Sequence, residues 1–431
     1  MNLIDKKIKV KRIGILCDGF SNWGGGIDFL HSIISSLVTA DDTLKFILLI
    51  PSKGAKVNIY NLFLGIYKRI YVLFKWFLPS PPQRMDLAYI KSLAHSYTGC
   101  LSIHEISSGS SSLAAASIAL KLDVLLPSIK PLPNDFPVPW VGYICDLQHK
   151  YYPKFFSISE IIRRNKRFKK MLRNAATVIV NARTVSKDIS QLFPGSDAEI
   201  VALPFSAAPK EEWLHLPTSE SFYFNEIPVR YFIICNQFWM HKDHATAFTA
   251  FARVANKFPD LELICTGSTS DYRNPEYFVS LCKQLEDMGL KNRVRITGLI
   301  PKLDQIALLR GAVALIQPTL FEGGPGGGAV YDAVSLGVPC IVSDIEVNLE
   351  LNEAGVRFFH AEDSADLALA MTDALMSGTR SPIPLDELRA AGERRRYCCG
   401  RALQEALNIA IIKFHNHHHQ IRHCVTQERT K

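Results

Sequence analysis

Residues 313–344 read VALIQPTLFEGGPGGGAVYDAVSLGVPCIVSD. A short apolar strand ends at Pro318, a loop passes through Glu322, and Gly323, Gly324, Pro325, Gly326, Gly327 and Gly328 follow. A helix is expected from near Ala329, a turn at Gly337-Val338-Pro339, and a second strand ending at Asp344. Strand, glycine loop and helix in that order bring several backbone N–H groups and the positive end of a helix dipole to one place. That arrangement suits an anion, phosphate most naturally. A flexible surface loop is the alternative that the same glycines allow.

The same alternation extends outward on both sides. In the first half, 11–17, 44–50, 140–145 and 177–180 read as apolar strands. A helix over 28–38 puts Phe29, Leu30, Ile33, Ile34 and Leu37 on one face. In the second half, 230–235, 261–265, 293–296, 313–316 and 340–342 read as strands, with a helix over 246–258. Continuous apolar strands separated by helices predict parallel sheets covered on both faces, hence an α/β chain with two doubly wound domains. The expected divisions are a first domain over 1–207, a proline-bearing linker over 208–228, a second domain over 229–385, and a closing helix with a polar tail over 386–431. His415, His417, His418, His419 and His423 lie in that tail, and a solvated tail fits them better than a metal site, which needs a fixed shell of ligands.

Composition narrows the function. With 431 residues, 48% hydrophobic and 21% charged, the chain is neither disordered nor collagen-like. Lys and Arg total 49 against 41 Asp and Glu, a formal charge of +8. That balance favours an anionic substrate or a lipid surface and does not call for nucleic acid. The 10 cysteines show no disulfide or metal spacing and read as reduced thiols of a cytoplasmic protein. Residues 1–11 carry four lysines and no long apolar run, so no signal peptide is expected, and no transmembrane helix either. Residues 58–84 are rich in aromatic and aliphatic side chains interrupted by Lys68, Arg69 and Lys75. They read equally as a buried helix with a basic rim or as a helix lying in a membrane's headgroup region.

One rival uses the same glycines. Gly324, Gly326 and Ala329 fit a dinucleotide G-x-G-x-x-A pattern, and Asp344 lies 20 residues beyond Gly324, near the ribose-binding spacing. A nicotinamide- or flavin-dependent oxidoreductase would follow. Against it, Thr319 to Glu322 separate strand from glycines, whereas the dinucleotide turn follows its strand tightly.

Phe321-Glu322-Gly323-Gly324 with the glycine loop, an acid in the next helix and Gly337-Val338-Pro339 resemble the nucleotide-sugar signature of family 4 retaining glycosyltransferases. Segments 23–28 (WGGGID), 146–157 (DLQHKYYPKFFS), 234–244 (ICNQFWMHKDH) and 296–299 (ITGL) extend the resemblance over most of the chain. It implies the GT-B fold, two facing Rossmann-like domains with a C-terminal crossover helix. It also implies transfer of a hexose-type sugar from a nucleotide diphosphate sugar to a hydroxyl acceptor, with retention; no cofactor is expected, and no metal either, because no paired acids of Asp-x-Asp type sit at a strand end. The basic aromatic segment within 58–84 suggests a glycan or lipid-linked acceptor at a membrane surface, as in cell-envelope polysaccharide assembly on the inner face of the cytoplasmic membrane. A non-catalytic subunit that binds the nucleotide sugar is the other reading that the family allows.

The resemblance also implies roles for residues. Glu322 falls where the family contacts the donor sugar, and Asp332 where an acid holds the ribose, with nine residues between them rather than seven. A carboxylate accepts from two vicinal hydroxyls at once, so a shorter acid keeps the chemistry. Lys242 matches a lysine on the diphosphate, while Gln237 stands where the family has an arginine; Arg183 or Arg273 are candidate replacements. Gly298, Gly323, Gly324, Gly326 and Gly327 complete the expected donor site. Gly25 and Gly26 are expected to let the first domain's backbone approach the sugar phosphate. Asp146 takes the place of the family's aspartate after the strand, Cys145 stands in for its histidine, and His149 is a candidate sugar or acceptor contact.

Overall fold

A computed structural model describes residues 10–20, 24–52, 97–216, 227–271, 273–378 and 382–428, with side chains described to residue 416. Residues 58–84 and Trp23 lie outside them. The chain forms two compact units. One comprises Met1–His149, Ser157–Pro204 and Arg396–Lys431; the other comprises Lys150–Phe156 and Phe205–Arg395.

The first unit is built on a seven-stranded sheet, β1 Arg12–Leu16, β2 Lys45–Pro51, β3 Leu101–Ile106, β4 Val124–Ser128, β5 Trp140–Tyr143, β6 Thr177–Val180 and β7 Glu199–Ala202, in the order β3-β2-β1-β4-β5-β6-β7. The second has six strands, β8 Arg230–Cys235, β9 Leu261–Thr266, β10 Val294–Gly298, β11 Leu315–Gln317, β12 Cys340–Ser343 and β13 Val356–Phe359, in the order β10-β9-β8-β11-β12-β13. All strand pairs are parallel. β8 shows why. Tyr231, Phe232, Ile233 and Ile234 are each at most 1% exposed, so both faces of the strand are covered by helices, as a parallel sheet requires. The two expected Rossmann-like units are therefore present.

Several boundaries differ from the sequence reading. The first long helix is Gly24–Ala40, so Gly25 and Gly26 sit in its first turn rather than in a loop before it. The helix after the glycine loop starts at Gly327. Within 208–228, Glu211–Leu214 is a short helix, and Trp213 and Leu214 are buried in the second unit's core. The closing helix runs Leu385–Glu428 and takes in most of the expected polar tail; no proline interrupts it. Its Gly400 lies where a Cβ would stand 2.0 Å from the Ser36 carbonyl oxygen, so only glycine lets this helix approach Gly24–Ala40 so closely. β3, β4, β7 and β13 were not foreseen. β4 contains Pro127, which argues against a strand, and β3 and β13 are edge strands with partly exposed polar residues.

Candidate functional site

β8 and β11 are neighbours at the point where the second sheet's strand order reverses. β8 continues to β9 on one side and β11 to β12 on the other, so the loops leaving their carboxyl ends lie at a topological switch point, where sheets of this kind bind ligands. The loop after β8 carries Lys242, and the loop after β11 carries Glu322.

Lys242 Nζ donates to Glu322 Oε1, and the two side chains are only 9% and 11% exposed. Glu322 Oε1 also accepts from Gln317 Nε2 at 2.9 Å, and Gln317 Oε1 accepts from Asn236 Nδ2 at 2.6 Å. Gln317 is fully buried in an apolar strand. An amide there is costly unless bonded, and here it forms a fixed bridge from β8 that aims the carboxylate. Asp243, at φ 47°, caps helix His244–Ala255 by accepting from Thr246 N at 3.3 Å. Lys242 thus sits just before a helix N-terminus and nearly dry, both unfavourable for a cation. Glu322 supplies the anion that makes this placement tolerable.

The two loops are also joined through backbone. His241 O accepts from Leu320 N at 2.8 Å and from Thr319 Oγ1 at 3.2 Å. The His241 ring is 4% exposed; burial first, then the charges of Lys242 and Arg273, push its pKa down to about 2. His244, fully buried and stacked on Phe238, is pushed down to about 3 by burial and by Lys242. Both imidazoles are therefore neutral, and Lys242 carries the positive charge facing Glu322.

The glycine loop closes this site from the other side. Gly326 and Gly327 have φ of +69° and +65°, and a Cβ on Gly327 would stand 2.9 Å from the Glu322 carboxylate. Left-handed backbone and close approach together require glycine. Helix Gly327–Ser335 consequently begins against that carboxylate. Gly326 N donates to Asn348 Oδ1 at 2.8 Å, and Asn348 Nδ2 to Ser343 O at 2.9 Å, which pins the loop to the end of β12. Gly324 O accepts from Gly327 N at 3.3 Å, and Gly323 and Gly324 are half-buried.

The structure thus brings together Lys242, Glu322 and the glycines. Gln237 lies half-buried in the loop of Lys242. Asp332, on helix Gly327–Ser335, is paired with Lys302 of helix Lys302–Gly311. Gly298, at φ +69°, ends β10, and its carbonyl accepts from Gly267 N at 2.8 Å. Arg273 is bound to Asp271, with its guanidinium 4.8 Å from the Trp239 ring. Asp344 accepts from Ala361 N at 2.9 Å, so the acid of the dinucleotide reading is engaged in local structure.

In the first unit, Asp146 accepts from Gln148 N at 2.9 Å and from Cys145 Sγ at 3.3 Å, opening the short helix Gln148–Tyr151. His149 is 1% exposed, bonded to Asn165 at 2.9 Å and packed edge-on against Phe168. Its position is that of a core histidine. A cavity of about 210 Å³, lined by Leu16, Asp18, Pro51, Ser110, Ser128 and Lys130 among others, opens at the carboxyl ends of β1 to β4. It lies where the first sheet's order reverses, between β1 and β4.

Sequence reasoning missed Asn236, Gln317, Asn348 and Lys302. The two amides at the ends of apolar strands were the available signal, since a buried amide must find partners. The nine cysteines whose side chains are described are free thiols. Among the same residues no group of three or more His, Cys, Asp or Glu could hold a metal ion, and no helix is long and apolar enough to cross a membrane.

Residues 225–394 match the family model described as Glycosyl transferases group 1. No curated protein matches the chain in sequence. Among solved structures, HepE of Anabaena in complex with UDP and glucose is 14% identical, with a TM-score of 0.56, over 93% of this chain and 99% of that one. The lipopolysaccharide outer core galactosyltransferase WaaB is 14% identical, with a TM-score of 0.55, over 92% and 99%. Sucrose-phosphate synthase from Thermosynechococcus elongatus is 13% identical, with a TM-score of 0.51, over 96% and 100%. The fold is that of the GT-B glycosyltransferases.

Proposed function

We propose that this protein is a retaining glycosyltransferase that moves a hexose-type sugar from a nucleoside diphosphate sugar to a hydroxyl of a glycan or lipid-linked acceptor. The observation that carries this reading is the buried Lys242–Glu322 pair, set at the sheet's reversal point against a glycine-opened helix N-terminus. The sugar's bond to the β-phosphate oxygen breaks, and a bond from the same anomeric carbon to the acceptor oxygen forms on the same face. The acceptor's proton passes to the leaving diphosphate. Charge gathering on that diphosphate is met by Lys242 and by the N–H groups that open helix Gly327–Ser335, a fixed field that needs no reorganisation. Glu322, held by Gln317, receives the sugar hydroxyls, and Asp332 the ribose diol. No metal is required in this scheme, because the lysine and the backbone amides supply the positive field.

HepE binds UDP and glucose, and WaaB is a galactosyltransferase of lipopolysaccharide; a UDP-sugar donor and an envelope acceptor are consistent with both. The first unit's cavity offers the acceptor a place lined by both apolar and polar side chains. Residues 58–84 are proposed as the segment that holds a cytoplasmic enzyme to the inner membrane surface.

The test is calorimetric titration with UDP, GDP and ADP and their glucose esters, on the wild type and on Lys242→Ala. One nucleotide series should bind the wild type, and Lys242→Ala should lose at least about tenfold in affinity and nearly all sugar release, since contacts to a charged group contribute about 1.5–3 kcal/mol. Unchanged affinity and turnover in a folded Lys242→Ala protein would remove the lysine from the site and the reading with it.

A further inference from the structure

Residues Lys150–Phe156 belong to the second unit, although His149 and Ser157 on either side belong to the first. Their aromatic rings pack on the residues that lead into Glu322. Tyr152 Oη donates to Leu320 O at 3.2 Å, two residues before Glu322. Its ring meets Phe321 edge-on, with centroids 6.0 Å apart at 80°, and the Tyr151 ring lies 5.7 Å from Phe321. The N–H of Leu320 is already committed to His241 O. Both backbone polar groups of Leu320 are therefore fixed, one by the loop of Lys242 and one by Tyr152.

Tyr152 is itself set from behind. It stacks on Phe155 at 5.3 Å with the rings 6° from parallel. The Arg273 guanidinium lies 5.6 Å from the Phe155 ring and 4.8 Å from Trp239, and it is anchored to the buried Asp271 by bonds of 2.9 and 3.1 Å. A planar cation between aromatic faces is attracted to both and resists tilting. Trp239, Arg273, Phe155, Tyr152 and Phe321 form a continuous run of ring and guanidinium contacts ending one residue before Glu322. Burial raises the Tyr152 phenol above its ordinary value, so it remains a donor through the neutral range.

We propose, on the strength of the glycosyltransferase reading, that Tyr152 is a positioning residue that fixes the Glu322 carboxylate in the donor site, and that Phe155 and Arg273 hold Tyr152 for that purpose. A carboxylate that must meet two sugar hydroxyls has little tolerance for displacement. Misplacement by about 1 Å costs about a hundredfold in rate. Nucleotide affinity, by contrast, rests on Lys242 and backbone amides that Tyr152 does not touch.

Tyr152→Phe keeps the ring and removes the hydroxyl; Tyr152→Ala removes both. Two measurements decide. The first is hydrogen exchange of the free protein, which needs no ligand. Tyr152→Ala should speed exchange across residues 319–324 and leave β8 and β9 as in the wild type. The second uses UDP, GDP and ADP for binding and their glucose esters for sugar release. Nucleotide Kd should rise by no more than about twofold, while kcat for sugar release falls about tenfold in Tyr152→Phe and about a hundredfold in Tyr152→Ala. Unchanged exchange over 319–324 would overturn the proposal. So would nucleotide affinity that falls in step with turnover, or Tyr152→Phe turnover equal to the wild type. If the wild type binds none of the three nucleotides, the glycosyltransferase reading fails, and the exchange measurement alone still says whether Tyr152 holds the loop.

Discussion

Replacing Glu322 by glutamine should produce two effects of opposite sign. The carboxylate neutralises Lys242 where both side chains are about nine-tenths buried. Glutamine keeps the shape, and its oxygen can still accept from Lys242, but the negative charge is gone. Removing one member of a buried ion pair costs about 3–5 kcal/mol, because the other is left uncompensated. This pair retains a little exposure, so about 3 kcal/mol is the working figure, and the free variant should unfold at correspondingly lower urea. A nucleoside diphosphate returns an anion to Lys242 and no longer faces the carboxylate's repulsion. Recovery of half to most of that energy makes the diphosphate bind about tenfold to a hundredfold more tightly, since 1.4 kcal/mol is a factor of ten. Turnover of the sugar nucleotide should nevertheless collapse, because glutamine holds the donor hydroxyls through one neutral acceptor. The assays are urea unfolding, calorimetry with UDP, GDP and ADP, and nucleotide release from the glucose esters. A folded Glu322→Gln protein that binds the nucleotide no more tightly than the wild type would show that Lys242 does not receive the diphosphate.

Two further outcomes follow from the same site. Gly327→Ala places a Cβ 2.9 Å from the Glu322 carboxylate at φ +65°, so urea unfolding should show a loss of about 1–3 kcal/mol, with reduced turnover. His241 and His244 have folded pKa values of about 2 and about 3, below the ordinary 6.5, so between those limits the unfolded chain binds more protons than the folded one. Stability is therefore lost as the pH falls through 6.5, by about 1.4 kcal/mol per histidine one unit lower. In unfolding measured at pH 7.5 and 5.5, His244→Phe, which preserves the stacking on Phe238, should lose about half of this pH dependence. A variant with the full wild-type slope would assign the slope to other groups.

Periodicity made the architecture legible. Runs such as YFII in β8 and CIV in β12 are apolar throughout, as a doubly covered parallel strand requires, and their order along the chain gives two Rossmann-like units. Strands that must also meet solvent escaped notice, as LSIHEI in β3 did, because an edge does not need a continuous apolar run. In the loop after β11, the glycines stood out by spacing, and Glu322 by the resemblance to a nucleotide-sugar signature. The support around them did not, since it depends on which residues lie opposite one another in the folded chain. Asn236 and Gln317 are 81 residues apart in sequence, Lys302 and Asp332 are 30 apart, and Tyr152 and Leu320 are 168 apart. His149 shows the reverse error. Its place in a motif suggested ligand contact, yet its ring lies against Phe168 in a packed core.

Each acid expected to touch the donor is met in the free protein by a lysine, Glu322 by Lys242 and Asp332 by Lys302. The pairs differ in their environment. Lys302 is 40% exposed, and its pair with Asp332 contributes little because water screens it. The Lys242–Glu322 pair is nearly dry, and neither partner can be left alone. Under the proposed function the two members of each pair are sorted by chemistry: phosphate oxygens are drawn to the lysine, and hydroxyl groups donate to the carboxylate. A sugar nucleotide carries a diphosphate flanked by two sets of hydroxyls, so it can satisfy both members of the buried pair at once. Inorganic phosphate satisfies only the lysine and leaves Glu322 facing a second anion. The buried pair therefore selects for a ligand that presents an anion and a diol together, a choice made by desolvation that a pair exposed to water could not enforce.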